Sequence, residues 1–384
     1  MRSSARPAAL ARLALGVALV LAGVCNPAAS TVPPASASGG ATAPSPTPRP
    51  TTSPVTPLPT MTPVAIVPGE PWIVYEGPVP EVGGVGIRVI RPDGSDERWA
   101  APDAPITHNP GASGGGIGDG WQLQPDWSPD GGRIAFVVDC WPAKASTRDL
   151  WVSNADGTGS RRVYQCVSPC SVAEFPAWSP DGTSLLFVRW DHTDRGVDGS
   201  VLQRLDLASG TITTLAATTG PEYFLYPRWS RDGKSVVTEI DTYTDISDAA
   251  TLASTAIARV DLMTRPGTVK RLTPPGGQAQ YPDWHPLQDL IVYQARPKDD
   301  PAKPYALYTM HPDGSGVALF AAAELSLTQP TWLPDGSGVI LTQVQGDDFA
   351  HTADMVIATP DGVVRPATTD GLHFGTHPRR RPVP

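Results

Sequence analysis

Positive charge is scarce in this 384-residue chain: 29 Lys and Arg stand against 38 Asp and Glu, for a formal net charge of -9. Binding to a phosphate backbone runs on Lys/Arg clusters that release counterions, so nucleic acid is not the expected partner. The same balance argues against docking on anionic lipid through a basic patch. Charged residues of both signs reach only 17%, below the usual ~25%. Cysteine is nearly missing, with 4 residues, and the 7 histidines (108, 192, 285, 311, 351, 373 and 377) form no His-x-His or His-Glu-x-x-His spacing. Neither a metal site nor a cofactor is therefore expected. Long apolar runs are also missing: Leu13 to Val24 is too short to cross ~30 Å of hydrocarbon as a helix.

What the chain has in excess is 44 Pro and 37 Gly, which calls for many turns or an unfolded tract. Both expectations have a place. Arg2, Arg6 and Arg12 precede the short apolar run, the layout of a signal peptide over residues 1–30. Leu21-Ala22-Gly23-Val24-Cys25 is a lipobox whose Val24 stands where Gly, Ala or Ser is preferred, while Ala28-Ala29-Ser30 offers an ordinary cleavage site. Plain secretion fits better, and Cys25 is the lipidation candidate otherwise. Either way the mature protein is extracytoplasmic, secreted or held at the cell envelope, with no transmembrane span. Residues 31–63 then hold 10 Pro among Ser, Thr and Ala, which predicts a disordered, extended linker with nothing to bury.

From residue 64 onward a unit recurs. Pro125-Asp126-Trp127-Ser128-Pro129-Asp130-Gly131 returns at Trp178, at Trp229 with Arg231 in place of Pro, at Trp284 as His285-Pro286-Leu287-Gln288, and at Trp332. The Trp spacings are 51, 51, 55 and 48 residues, the period of a blade of four short strands and too long for an ankyrin or leucine-rich repeat. In each unit Ser-Pro-Asp-Gly predicts a tight turn. A β-forming run follows it, such as Ile134-Ala135-Phe136 or Leu185-Leu186-Phe187. A third strand and a second turn come next, as in Leu150-Trp151-Val152-Ser153-Asn154-Ala155-Asp156-Gly157. The second strand and the third strand each occur six times, counting Ile73-Val74-Tyr75 and the run from Gly86 to Ile90 at the start. The Pro-x-Trp strand occurs five times, and His373-Phe374-Gly375-Thr376-His377-Pro378 has the pattern of a worn sixth copy. The expectation is an all-β, six-bladed β-propeller over 64–384, closed by the C-terminal chain completing the first blade.

The motif Pro-x-Trp-Ser-Pro-Asp-Gly, followed by Ile-Ala-Phe and Leu-Trp-Val-Ser-Asn-Ala-Asp-Gly-Thr-Gly, resembles the WD40-like propeller repeat of the TolB-like family over residues 70–382. TolB carries a separate α/β domain ahead of its propeller, and here the leader occupies that place. The resemblance therefore implies architecture only.

Two places are open to function. In a four-stranded meander the turns after the first and third strands fall at one end, and the long connections, such as 138–148, 165–174 and 239–255, fall at the other. Binding residues favour such variable loops. The second place is the channel, toward which the first strands point Asp126, Arg228 and Asp283 just before Trp, and Gln124, Tyr226, Tyr281 and Gln329 two residues earlier. Such a lining suits a polar ligand or a peptide end. The plainer alternative is that these groups bond one another and trapped water.

Trp127, Trp178, Trp229, Trp284 and Trp332 are read as blade-packing residues. The Asp-Gly turns supply too few oxygens for calcium. Gly111-Ala112-Ser113-Gly114-Gly115 has the nucleophile-elbow pattern but no strand before it or helix after it, so it reads as loop. Cys140, Cys166 and Cys170 are disulfide candidates in an oxidising compartment: Cys140 with either of the others, or a small ring between Cys166 and Cys170. The functional expectation is a monomeric, non-catalytic module that binds a protein, peptide or cell-envelope component. The alternative is a hydrolase or lyase working at the channel mouth through Asp126, Asp283 or a loop histidine such as His192 or His351.

Overall fold

The computed structural model describes residues 70–382, apart from 80–83, 105–120, 141–146, 194–195, 198, 245–250, 275, 297–299, 301, 346–352 and 372. The leader with Cys25, the Pro-rich segment, the Gly-x-Ser-x-Gly stretch and His351 lie outside the described residues, as do the side chains of Cys140 and His192.

Strands are numbered in chain order. β1 (Ile73–Val79), β2 (Gly84–Ile90) and β3 (Arg98–Trp99) form a sheet with β25 (Thr376–Arg380), in the order β25-β1-β2-β3. A nine-stranded sheet follows. Its first half is the meander β4 (Gln122–Trp127), β5 (Arg133–Cys140), β6 (Thr147–Asn154) and β7 (Arg161–Tyr164). Its second half comprises β8 (Cys170–Trp178), β9 (Ser184–Thr193), the short β10 (Gly196–Val197), β11 (Val201–Asp206) and β12 (Ile212–Ala217). A single parallel bridge, Arg148 opposite Val172, joins the halves.

Three four-stranded sheets complete the described chain. They are β13 (Glu222–Trp229), β14 (Ser235–Tyr243), β15 (Leu252–Asp261) and β16 (Thr268–Arg271); β17 (Ala279–Trp284), β18 (Ile291–Ala295), β19 (Ala306–Met310) and β20 (Ala318–Ala321); and β21 (Ser326–Trp332), β22 (Val339–Val344), β23 (Asp354–Ala358) and β24 (Val364–Pro366). Each is an antiparallel meander. The first strands of successive meanders neighbour one another in the order β4, β8, β13, β17, β21, β25, and β25 also lies against β4.

The turn chemistry produces the hairpins. Gly131 N–H donates to Ser128 O at 2.8 Å, and Asp130 Oδ1 accepts from Gly132 N and the Ser128 hydroxyl. Gly131 takes φ +63, a left-handed conformation that costs glycine little. Where the fourth tetrad lacks Asp-Gly, the His285 ring replaces it: Nδ1 accepts from Leu287 N and Gln288 N, both at 3.0 Å. That role needs an unprotonated Nδ1, in keeping with burial that holds the His285 pKa below its ordinary value.

Second strands are continuous apolar runs because sheets cover both of their faces. Ile134, Ala135, Phe136, Val137 and Val138 in β5 are all buried, and so are Leu185, Leu186, Phe187 and Val188 in β9. The core lies between adjacent sheets. Val74 and Val89 of the first sheet pack with Trp127, Ile134 and Phe136 of the next, and Phe224 and Val236 pack with Leu186 and Val188.

Candidate functional site

Where the first strands meet, one backbone device repeats. Gln124, Phe175, Tyr226, Tyr281, Gln329 and His377 all have positive φ, between 48 and 57, a conformation rare for non-glycine residues. Each is followed by proline. A proline cannot donate to the ladder, and the pairing skips there, between Leu123 and Asp126, Glu174 and Ala177, Leu225 and Arg228, Gln280 and Asp283, and Thr328 and Thr331. The result is a β-bulge in each strand, which re-aims a side chain. The bulges bring aromatic rings together: Phe175 and Tyr226 lie 4.3 Å apart, Tyr226 and Tyr281 4.1 Å, and His377 about 6 Å from both tyrosines.

For five of the six left-handed residues, the backbone N–H is taken by a side chain of the preceding meander. Glu76 Oε1 accepts from Gln124 N (2.5 Å), Gln124 Oε1 from Phe175 N (2.8 Å), and Glu239 Oε2 from Tyr281 N (3.0 Å). Gln294 Oε1 accepts from Gln329 N (2.8 Å), and Gln329 Oε1 from His377 N (2.9 Å). The acceptor's origin follows a rule. When the residue after the second strand's three-residue run (Ile73-Val74-Tyr75, Val236-Val237-Thr238, Ile291-Val292-Tyr293) is Glu or Gln (Glu76, Glu239, Gln294) it reaches across. When it is Val137 or Thr342, the Gln in the bulge of the same meander does so instead.

The residue before Trp forms a second layer. Asp126 Oδ2 accepts from Trp178 N and Asp283 Oδ2 from Trp332 N, both at 2.8 Å. Asp126 Oδ1 lies 3.4 Å from Arg379 Nε, and Asp283 Oδ1 3.9 Å from Arg228 Nε. Burial raises the Asp126 pKa to about 6, against the pull of Arg228 and of the Trp178 N–H. Burial also raises that of Asp283 to about 7; Arg228 and the Trp332 N–H oppose it, and the Asp126 charge adds to it. Glu76 behaves differently. Burial pushes it up, yet His377, with Nδ1 3.0 Å from Oε1, together with the Gln124 N–H and the Thr376 hydroxyl, brings it below its ordinary value.

Tyr226, Arg228, Tyr281, Gln329, Thr331, His377 and Arg379 line a partly open pocket of about 10 Å³, roughly room for one water. Of the residues expected to line a channel, Tyr226, Arg228, Tyr281 and Gln329 line this space; Asp126 and Asp283 lie beside Arg379 and Arg228, and Gln124 holds the Phe175 N–H. The sequence reading did not single out Glu76, Glu239, Gln294, His377 or Arg379. The signal for the last two was His377-Pro378-Arg379, the sixth copy of the bulge dipeptide and its neighbour.

The repeat tryptophans pack between meanders. The indole N–H groups of Trp127, Trp178 and Trp284 donate to the carbonyls of Arg379, Asp126 and Arg228, each at 3.2 Å. Trp178 also stacks under Arg133, and Trp332 against His285 and Phe320. Cys166 and Cys170 are joined by a disulfide, which makes the smallest of the rings considered. No group of His, Cys, Asp or Glu suited to a metal ion occurs among the described residues.

Antiparallel meanders with a repeating first-strand bulge define an all-β, propeller-like protein. In fold, the chain resembles the TolB-like propeller domain. It superposes on TolB from Acinetobacter baumannii with a TM-score of 0.54 at 18% identity, covering 81% of this chain and 66% of that one. Against the putative TolB from Agrobacterium tumefaciens the TM-score is 0.51 at 18% identity, covering 80% and 91%. Among curated proteins, the uncharacterized peptidase YuxL of Bacillus subtilis (strain 168) is 26% identical over 48% of this chain and 31% of its own length. The chain thus spans about a third of that relative. No protein-family model matches.

Proposed function

We propose that this chain is an extracytoplasmic binding scaffold: a signal peptide (1–30), a Pro-rich spacer (31–63) and a monomeric six-bladed propeller whose C-terminal strand completes the first blade. In this reading the nine-stranded sheet is two blades. The neighbour order of the first strands, with β25 against both β1 and β4, supports the ring. The observation that carries the binding reading is the lack of space where the first strands meet. The pocket at the first strands holds about 10 Å³, too little for a substrate of ordinary size, and both aspartates are occupied with backbone N–H groups. The long connections are left as the surface for a protein, peptide or envelope ligand. At the mature N-terminus, Cys25 is the lipid-anchor candidate.

One observation favours a second reading. Carboxyls with values near 6 and 7 are suited to general acid–base work, and the relative at 26% identity is named a peptidase. Immobilised mature chain, incubated with solubilised cell envelope, is expected to retain a discrete component that free chain competes off. Repeated failure to retain anything counts against the scaffold. Hydrolysis or elimination on peptide or polysaccharide libraries that disappears in Asp126→Asn or Asp283→Asn would establish the enzyme instead.

A further inference from the structure

We infer that a cleft between β12 and the turns flanking β13 and β15 is a docking site for an acidic side chain of a peptide partner. The cleft has a volume of about 140 Å³. Trp229 and Leu262 form its apolar wall with Leu215, and Arg204 and Arg265 stand at its edge. It opens at the end of the strands that carries the short turns, opposite the long connections.

The tryptophan in the cleft lacks a cover that Trp178 has. In the preceding meander Arg133 opens the second strand; its guanidinium lies 4.4 Å from the Trp178 ring centre and donates to Gly182 O at 3.1 Å. The equivalent position of the next meander is Ser184, which cannot reach the following tryptophan, Trp229. Trp127, Trp178 and Trp332 each have a cationic or aromatic ring neighbour, whereas Trp229 and Trp284 have none among the described residues, and Trp284 differs from Trp229 in donating its indole N–H to Arg228 O. The Trp229 indole N–H has no partner there.

Arg204 is likewise less engaged than its counterpart. Arg259 Nε donates to Ser235 Oγ at 3.2 Å and its Nη1 to Pro312 O of the next meander at 3.5 Å. Arg204 Nε donates to Ser184 Oγ at 2.9 Å, and its Nη groups find no acceptor among the described residues. The carboxylates that feel its charge, Asp181 and Asp206, are bound into their own turns by Ser179, Thr183 and Ser209. Neither Arg204 nor Arg265 has an ion pair among the described residues. In a chain of net charge -9, two guanidinium groups beside an apolar wall match a carboxylate on a short aliphatic stem: the planar fork suits the carboxylate, and the wall suits the methylenes.

The test is ligand-observed NMR on the mature chain with acetyl-Leu-Glu-amide and its uncharged analogue acetyl-Leu-Gln-amide. The glutamate peptide is expected to bind with a Kd of the order of 1 mM, weakening with added salt, and the glutamine peptide about tenfold more weakly. Arg204→Gln and Arg265→Gln each lower affinity to the level of the analogue. Ser184→Arg restores the cover that Arg133 gives Trp178 and abolishes binding; should that variant not fold, the two Arg→Gln variants decide. Equal binding of the two peptides, unchanged affinity in both Arg variants, or no binding of either peptide at about 10 mM overturns the assignment. Because the cleft is remote from the long connections, none of these results bears on the scaffold reading.

Discussion

Burial acts on Asp126, Asp283 and Glu76 in one direction, and the donors around each carboxylate decide where it ends. Glu76 receives a backbone N–H, a hydroxyl and an imidazole, enough to hold its charge. Each aspartate receives one N–H and a looser guanidinium. The signs follow by linkage. With folded values near 6 and 7 against an ordinary 3.8, the folded chain holds extra protons, so stability falls as pH rises from about 4 to 7. Glu76, depressed below 4.5, contributes stability at neutral pH that is lost as pH falls below that value. Asp283→Asn keeps an acceptor for Trp332 N and removes the charge. Urea midpoints at pH 5, 6.5 and 8 are expected to decline in the parent chain and to decline less in the variant, by roughly 1–3 kcal/mol across the range. Parallel slopes in the two proteins would refute it. The aspartates could be found from sequence because they sit in a repeated frame next to Trp. Their mode of action could not, because the partner N–H belongs to the next repeat, 52 residues away for Asp126.

At the scale of the strand, the bulge and the cross-meander acceptor work as a pair. A left-handed residue before proline is strained by about 1–3 kcal/mol, and the acceptor for its N–H holds it there. Glu76 combines this task for Gln124 with a bond to Thr376 and a 3.0 Å contact with His377 Nδ1 of β25, so three strands meet on one side chain. Glu76→Ala leaves the His377 ring and the Gln124 N–H without that partner and is expected to cost about 3–5 kcal/mol. Amide exchange in β25 should quicken before that in β14 or β18; equal acceleration everywhere, or a loss under 1 kcal/mol, would contradict the role. The strands themselves were legible because tryptophans and Pro-Asp-Gly turns mark them. The acceptors were not, because Glu76, Glu239 and Gln294 occupy a position held elsewhere by Val137, Val188 and Thr342, and a mixed column looks like noise until the gaps at Val137 and Thr342 are seen to be filled from Gln124 and Gln329.

At the scale of the molecule, the first and last described strands meet. β25 pairs with β1 through Ile73 opposite Arg380 and Val74 opposite Arg379, and Arg379 approaches Asp126. Beyond the strand, Arg381 N donates to Trp72 O at 2.7 Å and its Nε to Gly131 O at 2.8 Å. The C-terminal dozen residues therefore bind the first meander and the second at once. Their repeat character was faint in the sequence because the sixth copy keeps the His-Pro bulge and has Arg380 where the others have Trp. Ending the chain after residue 371 strips β1 of its partner and exposes Ile73, Val74 and Tyr75, all fully buried in the intact protein. An uncovered apolar strand edge templates association with other chains. Light scattering of the truncated protein at micromolar concentration should therefore report a larger mass than for the full chain, and a synthetic peptide spanning residues 372–384 should reverse the increase by refilling the edge. A truncated protein with no increase in mass and an unchanged thermal midpoint would show that the terminal strand is dispensable and would end the closed-ring reading.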